Sequence, residues 1–183
     1  MGLSIWRSVM MQDLAMSILD IAKNAYEVNA TEVHINLIDD GQYLTIQIID
    51  NGPGMSESEL KEAISPFYTT RKTRKIGLGI PFFKQIAEQC DGKFELVSSS
   101  GIRISSSMRK DHIDCPPMGD IGESIATLIQ CDPDVELVFK YIKNNQINEF
   151  NTQEVKKILD GISIAEPEII IWVKQTINDL MNS

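Results

Sequence analysis

Three clusters between residues 20 and 80 have types and spacings that suit chemistry. Asp20 and Asn24 are four apart, so in a helix they share a face one turn apart. A carboxylate there can act as a base toward an attacking hydroxyl. An amide oxygen together with phosphate oxygens suffices for Mg²⁺, which keeps most of its waters. Taken alone, such pairs are common on solvent-facing helices. The second cluster is Asp50-Asn51-Gly52-Pro53-Gly54-Met55, straight after an apolar strand-like run. A carboxylate half-buried at a strand end needs a donor, and an exocyclic amine would serve. Gly52 and Gly54 permit close backbone approach and positive φ. The alternative is a tight turn with Asp as the turn residue. The third cluster runs from Arg71 through Lys72, Arg74 and Lys75 to Gly77-Leu78-Gly79-Ile80, where a helix starts. Glycines ahead of a helix expose backbone N–H groups to anions. Four cations gathered there, in a chain of net charge −9, point to a polyphosphate. Taken alone, the run also describes a solvated basic loop.

The elements that must position these residues follow from patterning. Residues 12–28 carry Leu14, Ile18, Ile21, Ala22 and Ala25 at helical spacing. Alternation from Val33 to Leu37 and from Leu44 to Ile48, around Asp39-Asp40-Gly41, predicts a β-hairpin. Ser56 is placed to cap a short helix, and Pro81 suits the first turn of another over 80–90. Residues 93–109 read as a second hairpin. A Pro-containing boundary at 111–117 follows. Beyond it come a helix within 119–130, a hairpin over Asn144-Asn145, a short helix capped by Thr152 and stopped at Gly161, and a last helix opened by Pro167. The expected fold class is α+β: helices on a mixed, mainly antiparallel sheet, with a small α/β C-terminal extension. The expected divisions are a tail at 1–11, a ligand-binding domain at 12–110 and the extension at 111–183.

Composition narrows the function classes. Of 183 residues, 43% are hydrophobic and 23% charged, an ordinary globular balance. The acidic excess argues against a broad nucleic-acid footprint. No apolar run reaches the ~18 residues that a membrane helix needs. The N-terminal residues lack a cleavage site, and Trp6 stands where a myristoylation motif wants Ser or Thr. Cys90, Cys115 and Cys131 are widely spaced and fit neither a disulfide framework nor a zinc site. The reading is a cytoplasmic protein with reduced thiols. His34 alternates to the solvent face of its strand. His112 and Cys115 are two ligands where zinc wants four.

In order and spacing, the three clusters resemble the ATP-binding superfamily of gyrase, the large heat-shock chaperone, histidine kinases and MutL. The match covers about residues 12–109. Leu19 to Leu37 is similar to the family's N box, which puts Asn24 on the magnesium-binding Asn and Asp20 on the position of the base. Asp50, Gly52, Gly54 and Met55 resemble the first glycine box, whose Asp bonds the adenine amine. Phe67, Tyr68, Thr69, Thr70, Arg71 and Lys72 resemble the F box of histidine kinases, with Lys75 in the same lid. Gly77, Leu78, Gly79 and Ile80 match the second glycine box at the phosphates. The resemblance implies a Bergerat fold, ATP and Mg²⁺ as ligands, and a short lid from about Met55 to Ile76. Closer still, the chain is similar to small stand-alone histidine-kinase-type ATPases of bacteria. Two departures stand out. Asp20 is one methylene shorter than the Glu of the gyrase and MutL branch. Ile102 stands where a Thr often supports adenine binding, with Ser105 or Ser106 as candidate substitutes.

Three functions follow from the resemblance. A regulatory kinase, like the anti-sigma kinases, would phosphorylate a separate protein partner, since residues 1–11 are too few for a phosphoacceptor hairpin. An ATPase switch would couple lid closure to the C-terminal extension. A nucleotide-sensing module would bind without chemistry. The apolar block Ile169 to Val173, including Trp172, reads as packing against the tail hairpin, with a partner or homodimer surface as the alternative.

Overall fold

The computed structural model describes residues 13–65 and 79–183. The expected residues Phe67, Tyr68, Thr69, Thr70, Arg71, Lys72, Lys75, Gly77 and Leu78 lie outside these, as does Trp6. The elements are α1 (Leu14–Glu27), β1 (Glu32–Asp39), β2 (Tyr43–Asp50), α2 (Glu57–Ala63), α3 (Gly79–Gln89), β3 (Phe94–Ser99) and β4 (Gly101–Arg109). After the Pro-containing boundary come α4 (Ile121–Cys131), β5 (Glu136–Lys143), β6 (Gln146–Asn151), α5 (Thr152–Leu159) and α6 (Pro167–Asn182).

The six strands form one sheet in the order β3-β4-β2-β1-β5-β6. All neighbours are antiparallel except β1 and β5, which run parallel from Glu32 opposite Glu136 to Asp39 opposite Lys143. The sheet is therefore mixed and mainly antiparallel, as expected for α+β. The C-terminal hairpin continues this sheet: β5 lies directly beside β1, and Leu137 and Phe139 are fully buried.

Period-two burial decides the layering. Val33, Ile35 and Leu37 of β1 and Leu44, Ile46 and Ile48 of β2 point to one buried face. Ile102, Ile104 and Met108 of β4 continue it. Helix α1 covers that face with Leu14, Ile18, Ile21, Ala22 and Ala25, and α3 adds Ile80, Phe83 and Ile86. These side chains belong to one continuous core with Ile121, Ile125 and Leu128 of α4 and Val173 and Ile177 of α6.

Local signals explain the ends. Ser56 and Glu59 form a reciprocal capping box on α2. Asn144 and Asn145, at φ 52° and 64°, make the left-handed two-residue turn between β5 and β6. Asp160 and Gly161 close α5 with positive φ. The cap of α5 differs from expectation: Asn151 accepts from Gln153 N at 2.8 Å. Thr152 turns its hydroxyl to the sheet instead. It accepts from Leu137 N at 2.8 Å and donates to Glu136 at 3.1 Å. A buried strand N–H needs a partner more than an exposed helix end does.

Candidate functional site

A cleft enclosing about 480 Å³, its open mouth included, lies between α1 and the β2–β4 part of the sheet. From α1 it is lined by Ile21, Asn24, Ala25 and Glu27, and by Val28 at its C-terminal cap; from the sheet, by Ile48, Asp50, Ile102 and Ile104; Met55 and Ile80 complete it. The walls are mostly apolar, with few polar groups, as suits a flat heterocycle held by a small number of directed bonds.

Asp50 is the acid at the end of β2. Its Oδ1 accepts from Gly52 N at 2.8 Å and from Ile102 N at 3.4 Å. Those donors fix the carboxylate and leave Oδ2 able to accept from an amine in the cleft. The close approach of β4 requires Gly101, at φ +129°, since any side chain there would run into the Asp50 carbonyl. Ile102 thus acts through its backbone N–H and its apolar side chain. The candidate hydroxyls at Ser105 and Ser106 do not line the cleft. Ser106 is fully buried and donates to the Phe83 carbonyl at 2.9 Å. Ser105 alternates to the other face of β4.

Two side chains hold the glycine turn: Asn51, named in the second cluster but given no role there, and Ser98, which the sequence did not single out. Asn51 accepts from Thr31 N at 2.9 Å and Glu32 N at 3.0 Å, and donates to Thr31 Oγ1 at 2.9 Å. Ser98 of β3 accepts from Met55 N at 2.7 Å. It crowds Gly54, where a Cβ would lie 2.7 Å from its hydroxyl and φ is +75°. A signal existed for Ser98. Phe94, Leu96 and Ser98 share one strand face, so a hydroxyl follows two core-facing residues there.

On α1, Asn24 lines the cleft. Asp20 is one turn nearer the N-terminus, beside Gly79 at the start of α3. A Cβ on Gly79 would lie 2.8 Å from Ile21 Cγ1 and 3.3 Å from Asp20 Cβ. The N-box-like helix and the end of the second glycine run are therefore in direct contact. Of the expected residues, the fold gathers Asn24, Asp50, Met55 and Ile80 around the cleft. Gly52 and Gly54 form its turn, and Asp20 and Gly79 meet at one end. His34 lies on the open sheet face, with Nε2 2.8 Å from Glu32 Oε1.

Helix α1 is also held from behind. Leu14 N donates to the Pro117 carbonyl at 3.0 Å and Ala15 N to the Met118 carbonyl at 2.9 Å. Ser124 of α4 donates to the Ala15 carbonyl at 2.9 Å. The Pro117 and Met118 carbonyls thereby satisfy two N–H groups that a helix start leaves open, and Ser124 adds a tie from α4.

The fold and the cleft define a nucleotide-binding α+β domain of the Bergerat class. The family of histidine kinase-, DNA gyrase B- and HSP90-like ATPases matches residues 11–112, and the chain belongs to that family. Among curated relatives, sporulation kinase C of Bacillus subtilis is 32% identical over 85 residues, 45% of this chain and 20% of that protein. Sporulation kinase E of the same organism is 38% identical over 87 residues, 45% of this chain and 12% of that protein. The chain thus spans a fifth or less of these two relatives. The crystal structure of the N-terminal domain of a DNA repair protein shares the fold with a TM-score of 0.52 at 13% identity. The likeness covers 80% of this chain and 55% of that one. It therefore reaches beyond residue 112 into the C-terminal elements.

Proposed function

We propose that the chain is an ATP-binding regulatory protein that uses Mg-ATP to phosphorylate a separate protein partner. The observation that carries the reading is the held carboxylate of Asp50, bonded through Oδ1 to Gly52 and Ile102 in an apolar cleft. In this reading Oδ2 accepts from the adenine amine, and Ile21, Ala25, Ile48 and Ile104 sandwich the base. The donor set fits Mg²⁺, since Asn24 lines the cleft and carries an amide oxygen, and one protein oxygen plus phosphate oxygens meets the needs of the ion. When bound, the ion neutralises charge on the transferring phosphoryl group. Asp20 takes the proton of the acceptor hydroxyl or imidazole. Arg71, Lys72 and Lys75, with the Gly77-Leu78-Gly79-Ile80 segment, are assigned to the phosphates. Kinase relatives support transfer as the chemistry. Buried or free thiols at Cys90, Cys115 and Cys131 accord with a reducing cytoplasmic setting. No helix among the described residues is long and apolar enough to cross a membrane.

A second reading, an ATPase switch, is favoured by one observation: α1 is bonded to the segment leading into α4. Movement of α1 on ATP binding would be passed to the C-terminal elements. A homodimer remains compatible with either reading.

The test uses ATP labelled on its γ-phosphate, with Mg²⁺. Wild-type protein binds ATP, and Asp50→Asn weakens binding at least about tenfold, because an amide donor would face the amine donor. Unchanged affinity in Asp50→Asn rejects the site. Free phosphate released by the protein alone favours the switch. Label that appears only on an added partner favours the kinase.

A further inference from the structure

Helix α1 runs along the cleft, and independent contacts mark its two ends. At the C-terminal end, Val28 Cγ2 lies 3.1 Å from where a Gly52 Cβ would stand, and Gly52 N bonds Asp50. Toward the other end, Asp20 and Ile21 meet Gly79. Asn24 and Glu27 lie between these ends and both line the cleft. Their spacing of three keeps them on one helix face. At about 1.5 Å per residue, Glu27 belongs near the Asp50 end, with Asn24 about one turn further toward Gly79.

Glu27 is exposed. Among the described residues it has no hydrogen-bond or ion-pair partner. A carboxylate in that position repels phosphates and suits a vicinal diol. Hydroxyl donors to a carboxylate make short, charge-assisted bonds. An acidic side chain that accepts from ribose hydroxyls is a recurrent solution in unrelated dinucleotide sites. The order of groups along α1 is then base at Asp50, sugar at Glu27, and metal and phosphates from Asn24 to Gly79.

We propose that Glu27 accepts hydrogen bonds from the 2′- and 3′-hydroxyls of the bound nucleotide, which makes the cleft selective for ribonucleotides over 2′-deoxyribonucleotides. This rests on the ATP reading above. The competing role for the same carboxylate is a cation ligand beside Asn24.

The experiment measures affinities of ATP and 2′-deoxy-ATP for the full chain, with Mg²⁺ and with the metal chelated. It compares wild type, Glu27→Ala and Glu27→Gln. Wild type is expected to prefer ATP about tenfold, the effect of one charge-assisted bond at an exposed site. Glu27→Ala is expected to bind both nucleotides alike, and more weakly than wild type binds 2′-deoxy-ATP, since the variant loses the 3′-hydroxyl bond as well. Glu27→Gln, a neutral acceptor, is expected to keep part of the preference. Equal affinities in wild type, or a preference that survives Glu27→Ala, overturn the proposal. So does a Glu27→Ala defect that disappears when the metal is chelated, which would make Glu27 a cation ligand. Failure of wild type to bind ATP at all rejects the underlying reading, and the ribose assignment falls with it.

Discussion

Gly79 and Asp20 belong to different motifs, yet a Cβ on the glycine would lie 3.3 Å from Asp20 Cβ and 2.8 Å from Ile21 Cγ1. The contact sets how closely α3 approaches α1. Replacing Gly79 by Ala gains up to about 1 kcal/mol of helix propensity. The added methyl also forces the two helices apart, at a cost of about 1–3 kcal/mol. We expect a net loss of stability, seen as a lower urea midpoint, together with weaker ATP binding. An Ala variant as stable as wild type and with full affinity would show that this contact can relax freely.

Ser98 should matter to binding more than to folding. Its hydroxyl accepts from Met55 N at 2.7 Å and lies against Gly54. Ser98→Ala leaves that N–H without its acceptor, at a cost of about 1 kcal/mol. The glycine turn then loosens at the cleft mouth. The expected result is a several-fold loss of ATP affinity, with the thermal midpoint changed by only a few degrees. Loss of fold without a specific loss of affinity would make Ser98 purely structural.

The sequence made local order plain and long-range order obscure. Apolar spacing located α1 over 12–28, observed at Leu14–Glu27, and alternation located both strands of the first hairpin. These patterns act over a few residues, where backbone geometry alone sets the period. The parallel pairing of β1 with β5 was not readable. Alternation in Val33–Leu37 is satisfied by any partner strand, and the partner lies about a hundred residues away. The site divides the same way. Asp20, Asn24 and Asp50 showed as spaced side chains. The Ile102 contribution is a backbone N–H, which residue identity does not encode. Asn51 and Ser98 act across elements that only the fold brings together.

The join between the Pro boundary and α1 can be tested at Asp13 and Gly119. Asp13 caps α1, its Oδ1 accepting from Met16 N at 2.8 Å, and its carboxylate occupies the space beside Gly119, where φ is +75°. Asp13→Ala should cost about 1 kcal/mol as a lost cap. Gly119→Ala should cost about 2 kcal/mol, because a left-handed backbone disfavours Ala and the new methyl displaces the capping carboxylate. The double variant should cost less than the sum, since the displaced cap is then counted only once. Simple additivity in urea unfolding would mean that the two residues act independently.

Asp39 ends β1 at 9% exposure, and Lys110 Nζ donates to both its oxygens at 2.8 Å. Burial alone would push the Asp39 carboxyl up. The Lys110 bonds and the Gly41 N–H outweigh that and hold it below its ordinary value of 3.8. A group whose folded pKa is depressed contributes stability above its unfolded pKa and loses that contribution as pH falls through the folded value. In Lys110→Ala the burial remains but the ammonium is gone, so the carboxyl moves back upward. At neutral pH the variant should be less stable by about 1 kcal/mol, a modest figure because the lysine is partly exposed. As pH falls below the ordinary carboxylate value the gap should narrow, closing once pH is below the depressed folded value, since wild type loses the contribution that the variant never had. Urea midpoints of both proteins at pH 7 and pH 3 decide the matter. A gap of equal size at the two pH values would show that the Asp39–Lys110 pair is not its source.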